Sequence, residues 1–532
     1  MSRYVVVIML LGIGCASEAG NDEDDDALNR CEAAARHVES CTGVYVSPPV
    51  CEGPAAGEAE ALLGRDCDAV LGSESAAAGK ADGALCNWFG AGCATDEKIF
   101  TGPACSSAAQ CAAGSACLEG RCFAGLGSPE ATTMLDTLTS TRVRTGNAVT
   151  PLITNREARE QWLQLIGEAR QSIHAITLLI EDNTTGHAVV DALVQAARRG
   201  VEVRVVVDSV SEYTYGNYDL LKQLSDAGAQ VIAFNPITEW SLVRWEIDLS
   251  ANQRIHEKVL VVDGKVALTG GRNIGDSYFA DERWRDRDVM VTGAAVADLQ
   301  RLFLTDWDEF SDWERRAGCP LKSDGVYCRP ASAGDLRANP AYYPAPTAAA
   351  GDATVRVLHS NPRKQQRPVG WMAYLALIRS ARKSIKITNA YFVPPARLRR
   401  HLRAAVQRGV KVEVVTNSKT SNDERSMWWA AINHYEELIK GGVSVCEWRG
   451  TQTVHVKAMV VDDRVAVVGS YNLDPRSATT NSEVLTLLEG SVVGKLVQAF
   501  AEDRTRCDVA GYSFSLYDRT MAATHRIAEP FL

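Results

Sequence analysis

The sequence predicts an α/β protein: two similar α/β/α sandwich halves packed as an internal pseudo-dimer, preceded by a small disulfide-rich module. Three observations predict it. From about residue 156 onward, strand patterns alternate with helix patterns. The same order of patterns then returns, with offsets of 212, 209 and 199 residues at successive landmarks. Ahead of both copies, ten of the fifteen cysteines fall between Cys31 and Cys122, a density that suits disulfide staples in an oxidising compartment.

The chain opens MSRYVVVIMLLGIGC. One Arg precedes an apolar run from Val5 to Ile13, and small residues lead into Cys15. Residues 1–14 therefore read as an export signal outside the fold. Gly-Ile-Gly-Cys resembles a bacterial lipoprotein cleavage box, in which Cys15 becomes the lipidated first residue, although Gly12 stands where an aliphatic residue is usual. The expected localisation is the bacterial cell envelope, with the chain lipid-anchored to a membrane. Residues 15–30 carry the acidic run NDEDDD and read as a solvated spacer.

Residues 31–125 are rich in Ala, Gly and Ser and form the expected disulfide module. Zinc is the minority reading there, because C-x-x-C pairs are absent. Cys319 and Cys328 bracket a short loop and read as a pair. Cys446 and Cys507 remain, and each is available to the other.

Residues 126–155 are polar and turn-rich and read as a linker. In the first half, 156–318, EAREQWLQLIGEAR has helical spacing and SIHAITLLI reads as a strand. VVDALVQAARRG reads as a helix closed by Gly200, and VEVRVVVD as a buried strand. This alternation predicts a mostly parallel sheet. In the second half, 351–510, SARKSIKITNAYF echoes EARQSIHAITLLI, and LRAAVQRGVKVEVVTN echoes LVQAARRGVEVRVVVD. The Pro- and Ala-rich stretch 319–350 reads as a linker loop, and 511–532 as a tail.

The 532 residues are 46% hydrophobic and 23% charged, with a net charge of −10. That balance argues against a nucleic-acid partner, since phosphate backbones are held by clustered Lys and Arg.

One string occurs twice. HEKVLVVDGKVALTGGRN (His256 to Asn273) and HVKAMVVDDRVAVVGSYN (His455 to Asn472) agree at nine of eighteen positions without a gap. Each string is expected to start on a strand, where a His and a Lys two residues apart share a face. Gly264 and the pair Gly270–Gly271 let the backbone turn and approach closely. Lys supplies a positive point charge and Asn an amide donor, and together they can hold phosphate oxygens. His can attack phosphorus or protonate a leaving oxygen. One copy supplies half of such a site; two copies facing each other supply both roles around one phosphodiester, within one chain. A lone H-x-K-x-x-x-x-D string is weak evidence. Two of them inside a domain-length repeat outweigh a purely structural role.

The paired strings, with their trailing Gly and Asn, resemble the phospholipase D superfamily over about residues 155–510. GGRNIGDSYF, NAYFVPP, VVTNS and GSYNLDPRSATTNSE are similar to strings of bacterial cardiolipin synthases. The resemblance implies phospholipase D-like halves and a phosphatidyltransferase or phosphodiesterase acting on phospholipids at a membrane surface. It implies a phosphohistidine intermediate, no metal and no cofactor.

Carried over by position, His256 is the nucleophile and His455 the general acid, with Lys258, Lys457, Asn273 and Asn472 on the phosphate. Ser470 adds a hydroxyl donor where the first half has Gly271. A carboxylate is expected to orient each His: Glu483, 28 residues after His455, and Asp288, 32 after His256. Asp263 and Asp462 are expected to stabilise local turns. Arg272 and Arg476 are candidate headgroup contacts, and Tyr391 lines a candidate acyl groove. His174, His187, His359, His401 and His434 lack a partner pattern and read as structural.

Transphosphatidylation of the cardiolipin synthase kind leads. Hydrolytic phospholipase D, a metal-independent nuclease and an inactive display protein remain as alternatives.

Overall fold

A computed structural model describes residues 103–111, 115–118, 121–235, 253–317, 336–346, 351–361 and 368–528. The export signal, Cys15, the acidic spacer, most of the Cys-rich segment and the pair Cys319–Cys328 lie outside these residues. All described residues belong to the unit Gly90–Leu532.

The end of the Cys-rich segment forms a small hairpin of β1 (Ala116–Leu118) and β2 (Arg121–Phe123). Disulfides Cys105–Cys117 and Cys111–Cys122 staple it. The expected linker 126–155 is ordered structure instead. Ser128 caps α1 (Pro129–Thr139), and β3 (Arg144–Leu152) follows. Polarity misled here: β3 has half-exposed positions along its length, so it shows no clean apolar run.

The first half continues with α2 (Asn155–Glu168), β4 (Ser172–Thr177), α3 (Thr184–Arg198) and β5 (Glu202–Asp208). After α4 (Val210–Tyr215) and α5 (Tyr218–Asp226) come β6 (Gln230–Phe234), β7 (Val259–Val262), β8 (Val266–Gly270), α6 (Asp276–Phe279), β9 (Asp288–Thr292) and α7 (Val296–Ala317). The second half repeats the plan: β10 (Ala353–Ser360), α8 (Val369–Ser380), β11 (Ser384–Asn389), α9 (Ala396–Gln407), β12 (Lys411–Thr416), α10 (Arg425–Lys440) and β13 (Ser444–Trp448). It ends with β14 (Lys457–Val461), β15 (Val465–Gly469), α11 (Pro475–Thr479), β16 (Glu483–Glu489), α12 (Val492–Thr505), β17 (Cys507–Val509) and α13 (Leu516–Ala528).

Fifteen strands form one sheet, in the order β17-β13-β12-β11-β14-β15-β16-β10-β3-β9-β8-β7-β4-β5-β6. Apart from β17, the order reads as a mirror about the β10–β3 seam, where Ala353 pairs with Asn147. The sheet is mixed rather than mostly parallel. Only the β4-β5-β6 and β11-β12-β13 runs are parallel. The duplicated string folds as an antiparallel hairpin in each half, β7-β8 and β14-β15, because its strands are joined by tight turns at Asp263-Gly264 and Asp462-Asp463.

Strand alternation divides the core. Val259 and Val261 join one apolar cluster, which also holds Val289, Trp307, Val460, Val484 and Phe500 from both halves. Leu260 and Val262 turn to the opposite face, under α2, α3 and α5. The corresponding face of the second half packs separately under α8, α9 and α10. The expected tail is also structured: α13 packs on α10, where Asn433 Nδ2 donates to Ala522 O (2.8 Å). Cys446 and Cys507 are bonded to each other, fastening β17 to β13. No helix among the described residues is long and apolar enough to cross a membrane.

Candidate active site

His256 and His455 stand just before β7 and β14 rather than on them. Each is fixed by the opposite half. The His256 amide donates to Ser482 O (2.8 Å), and Ile255 bridges Ser482. The His455 amide donates to Arg285 O (2.7 Å), and Val454 bridges Arg285. The two histidines thus meet where the halves join.

The same crossing brings a carboxylate to each ring. His256 Nδ1 contacts Glu483 Oε2 at 2.9 Å, and His455 Nδ1 contacts Asp286 Oδ2 at 2.7 Å. Sequence counting paired Glu483 with His455 and Asp288 with His256, and both assignments change. The pairing register explains the second. Gly270 opposes Asp288, and the equivalent Gly469 opposes Leu485, so the residue two before each of these occupies the carboxylate position. That residue is Asp286 in one half and Glu483 in the other. Asp288 instead pairs with Arg272 Nη1 (3.1 Å). Arg272 is 1% exposed. It also donates to the carbonyls of Leu152, Tyr278 and Asp286 and to Asn155 Oδ1. It braces the segment that carries Asp286 and is not placed to meet a headgroup.

Lys258 Nζ donates to His256 O (2.7 Å) and Lys457 Nζ to His455 O (2.6 Å). Each ammonium keeps two further donors. Asn273 and Asn472 are buried as well. Asn273 Nδ2 donates to the Tyr278 hydroxyl (2.8 Å), while Asn472 Oδ1 has no hydrogen-bond donor. The Ser470 hydroxyl is engaged: it donates to Glu483 Oε2, and Ser477 Oγ donates to Oε1 (2.7 Å). Ser470 is therefore a brace for the carboxylate that holds His256. Gly271, its counterpart, lacks a side chain because a Cβ there would collide with the Asp286 carboxylate.

Asp263 accepts from the amides of Arg170, Gln171 and Ser172, and Asp462 likewise from Arg382, Lys383 and Ser384. Both motif aspartates pin the loop entering the neighbouring strand, rather than only their own turn. Arg476 lies half-buried, its Nη2 3.4 Å from Asn481 Oδ1. Tyr391 faces the site: its ring centroid lies 6.2 Å from the His455 ring and 5.8 Å from Lys457 Nζ.

Sequence reasoning missed Asp286, Ser477 and the aromatic wall at His455, which Tyr278 (5.2 Å) and Trp284 (5.3 Å) complete. A signal for Asp286 existed. Asp286 and Glu483 each lie seven residues before a glycine, Gly293 or Gly490, that ends the strand with positive φ.

Burial sets the electrostatics. It holds both imidazoles well below their ordinary pKa, helped by the positive lysines, so both rings are neutral in the free protein. Burial pulls Lys258 down to about 7 and Lys457 down to about 8. It pushes Glu483 up to about 8, against Lys258 and the two serine donors, and raises Asp286 as well. Burial thus pushes the lysines and the carboxylates alike toward their neutral forms, and an incoming phosphate anion favours the charged lysines.

The family described as cardiolipin synthase, phospholipase D-like domain, matches residues 162–307 and 374–505, one match in each half. The chain is 29% identical over 392 residues to the cardiolipin synthase of Alkalihalophilus pseudofirmus OF4, covering 72% of this chain and 71% of that protein. It is 30% identical over 362 residues to the major cardiolipin synthase of Bacillus subtilis 168, covering 67% and 69%. In fold it is similar to the phosphatidylserine synthase of Haemophilus influenzae Rd KW20. The TM-score is 0.58 at 16% identity, over 76% of this chain and 99% of that one. The chain belongs to the phospholipase D-like family of the cardiolipin synthases.

Proposed function

We propose that the chain is a phosphatidyltransferase that joins phospholipids by cardiolipin synthase-like transphosphatidylation. The observation that carries this is the pair of neutral histidines, each with Nδ1 on a carboxylate of the other half and each flanked by a buried lysine. A carboxylate on Nδ1 fixes the tautomer and leaves the Nε2 lone pair for chemistry.

Lys258, Lys457, Asn273 and Asn472 hold the nonbridging oxygens of a phosphodiester. His256 Nε2 attacks phosphorus, forming an N–P bond as the P–O bond to the first alcohol breaks. His455 takes up a proton on Nε2 from solvent as the anionic phosphate binds, and gives that proton to the departing alcohol. A second alcohol then loses its proton to His455 and attacks phosphorus. The new P–O bond forms, the N–P bond breaks and His256 is released. The aromatic wall beside His455 presents a surface from which an acceptor alcohol can exclude water.

When donor and acceptor are both phosphatidylglycerol, the products are cardiolipin and glycerol. When it is water, phosphatidic acid forms. The test is product analysis: the full chain in phosphatidylglycerol vesicles, read by lipid mass spectrometry. Cardiolipin is expected; phosphatidic acid alone would make the protein a phospholipase D.

We place the enzyme in the cell envelope, anchored through a lipidated Cys15. The opening segment supports this, as do the disulfides Cys105–Cys117, Cys111–Cys122 and Cys446–Cys507, which suit an oxidising compartment. Mass spectrometry of the membrane-extracted protein should find a diacylated cysteine at its N-terminus; an intact Met1 would end the reading.

A further inference from the structure

We propose that Glu257, His359 and Asp306 form a binding site for one divalent transition-metal ion, zinc by ligand type, distinct from the catalytic pair. The three ligand atoms come from the string before β7, from β10 and from α7, and all lie within 4.8 Å of one another. Glu257 and Asp306 side chains are fully buried, and His359 is 19% exposed, which leaves an entry path and room for a water ligand.

The spacings also fit a metal. His359 Nε2 is 3.2 Å from Glu257 Oε1 and 3.2 Å from Asp306 Oδ1. Charge-assisted N–H···O bonds close to about 2.7–2.9 Å. Ligand atoms about 2.0 Å from a tetrahedral zinc stand about 3.3 Å apart. Neither oxygen of Asp306 accepts a hydrogen bond of good geometry, although the residue is 0% exposed.

The internal repeat supplies an independent argument. Asp306 and Asp503 are equivalent, each thirteen residues after its glycine, Gly293 or Gly490. Asp503 is neutralised by two guanidiniums, Arg285 and Arg287. At the equivalent place Asp306 meets a single imidazole and a second carboxylate, Glu257. Even with His359 paired to both, two buried carboxylates share one imidazole here, whereas the single Asp503 has two guanidiniums, and a carboxylate left short of a partner in the interior is costly. A dication on a His and two carboxylates supplies that partner. The ion would also fix Glu257, which accepts from the His256 amide (3.1 Å) and from the Ser482 hydroxyl, and so would stiffen the segment beside Glu483.

The test uses the full chain purified without chelator. Elemental analysis should find about one zinc per chain, and X-ray absorption should show a nitrogen and oxygen shell without sulfur. Asp306→Asn and His359→Gln should both lose the ion. Zinc added back to dialysed protein should raise the wild-type Tm and leave the variants unmoved. No bound metal and no zinc-dependent Tm shift would overturn the proposal. So would a sulfur-containing shell, or metal retained in both variants; the absorption measurement on wild type decides even if a variant fails to fold.

Discussion

Glu483 lies in the half that carries His455, yet its carboxylate sits 2.9 Å from Nδ1 of His256 in the other half. Asp286 makes the reciprocal contact with His455 at 2.7 Å. Neither half can orient its own histidine, so the duplication is a requirement of the chemistry as well as a repeat of the fold.

Loss of a crossing carboxylate should therefore cost turnover more than stability. Glu483→Gln and Asp286→Asn are expected to lower kcat roughly 10–100-fold while the melting temperature moves little. Asp288→Asn should behave oppositely. It strips the buried Arg272 of its charge partner and should cost about 3 kcal/mol of stability. Paired kinetic and thermal measurements on the three variants check this; a large kcat loss confined to Asp288→Asn would restore the pairing expected from counting.

The two histidines should act as one unit. His256→Ala and His455→Ala are each expected to lower phosphatidyl transfer by roughly 10⁴-fold or more, and the double variant should be no worse than either single. Additive losses in steady-state assays would mean that they serve separate steps at separate sites.

The alkaline limb of the pH profile should belong in part to Lys457. Its pKa in the free protein is depressed to about 8 by burial, so it is charged below that pH and neutral above it. Phosphate needs the charged forms, so kcat/KM should fall as pH rises through about 7 and then about 8, as Lys258 and then Lys457 lose their protons. Lys457→Arg keeps its charge, and whatever its absolute activity, its alkaline limb should move upward. An unmoved limb would assign the ionisation elsewhere.

Reduction should loosen the second half. The Cys446–Cys507 disulfide spans 61 residues, for which loop-closure entropy gives about 4 kcal/mol. Cys446→Ser and Cys507→Ser should lower the Tm, and a reductant should lower the wild type but not the double variant. Equal sensitivity of both would point to the N-terminal disulfides instead.

Much of this was legible in the sequence, for physical reasons. The two strings declare themselves because His, Lys and Asn must recur at one spacing to reach one phosphate. The parallel β4-β5 and β11-β12 units show because their largely buried strands are rich in Val and Ile and alternate with helical patterns. The crossing was hidden because counting along the chain assumes that a motif closes on itself. Here Ile255 pairs with Ser482 and Val454 with Arg285, across the halves. Ser470 reads as a ligand for phosphate by position, yet its hydroxyl is spent on Glu483. β3 was hidden by half-exposed polar positions, and its role is to form the seam with β10.

The most direct test of the account is to trap the covalent intermediate. His455→Ala protein, unable to protonate an alcohol leaving group, is given a phosphatidyl donor with a p-nitrophenyl leaving group, quenched in base and mapped by mass spectrometry. The account predicts a phosphatidyl adduct on His256 and none in His256→Ala. An adduct on another residue, or rapid release of nitrophenol with no adduct at all, would contradict it.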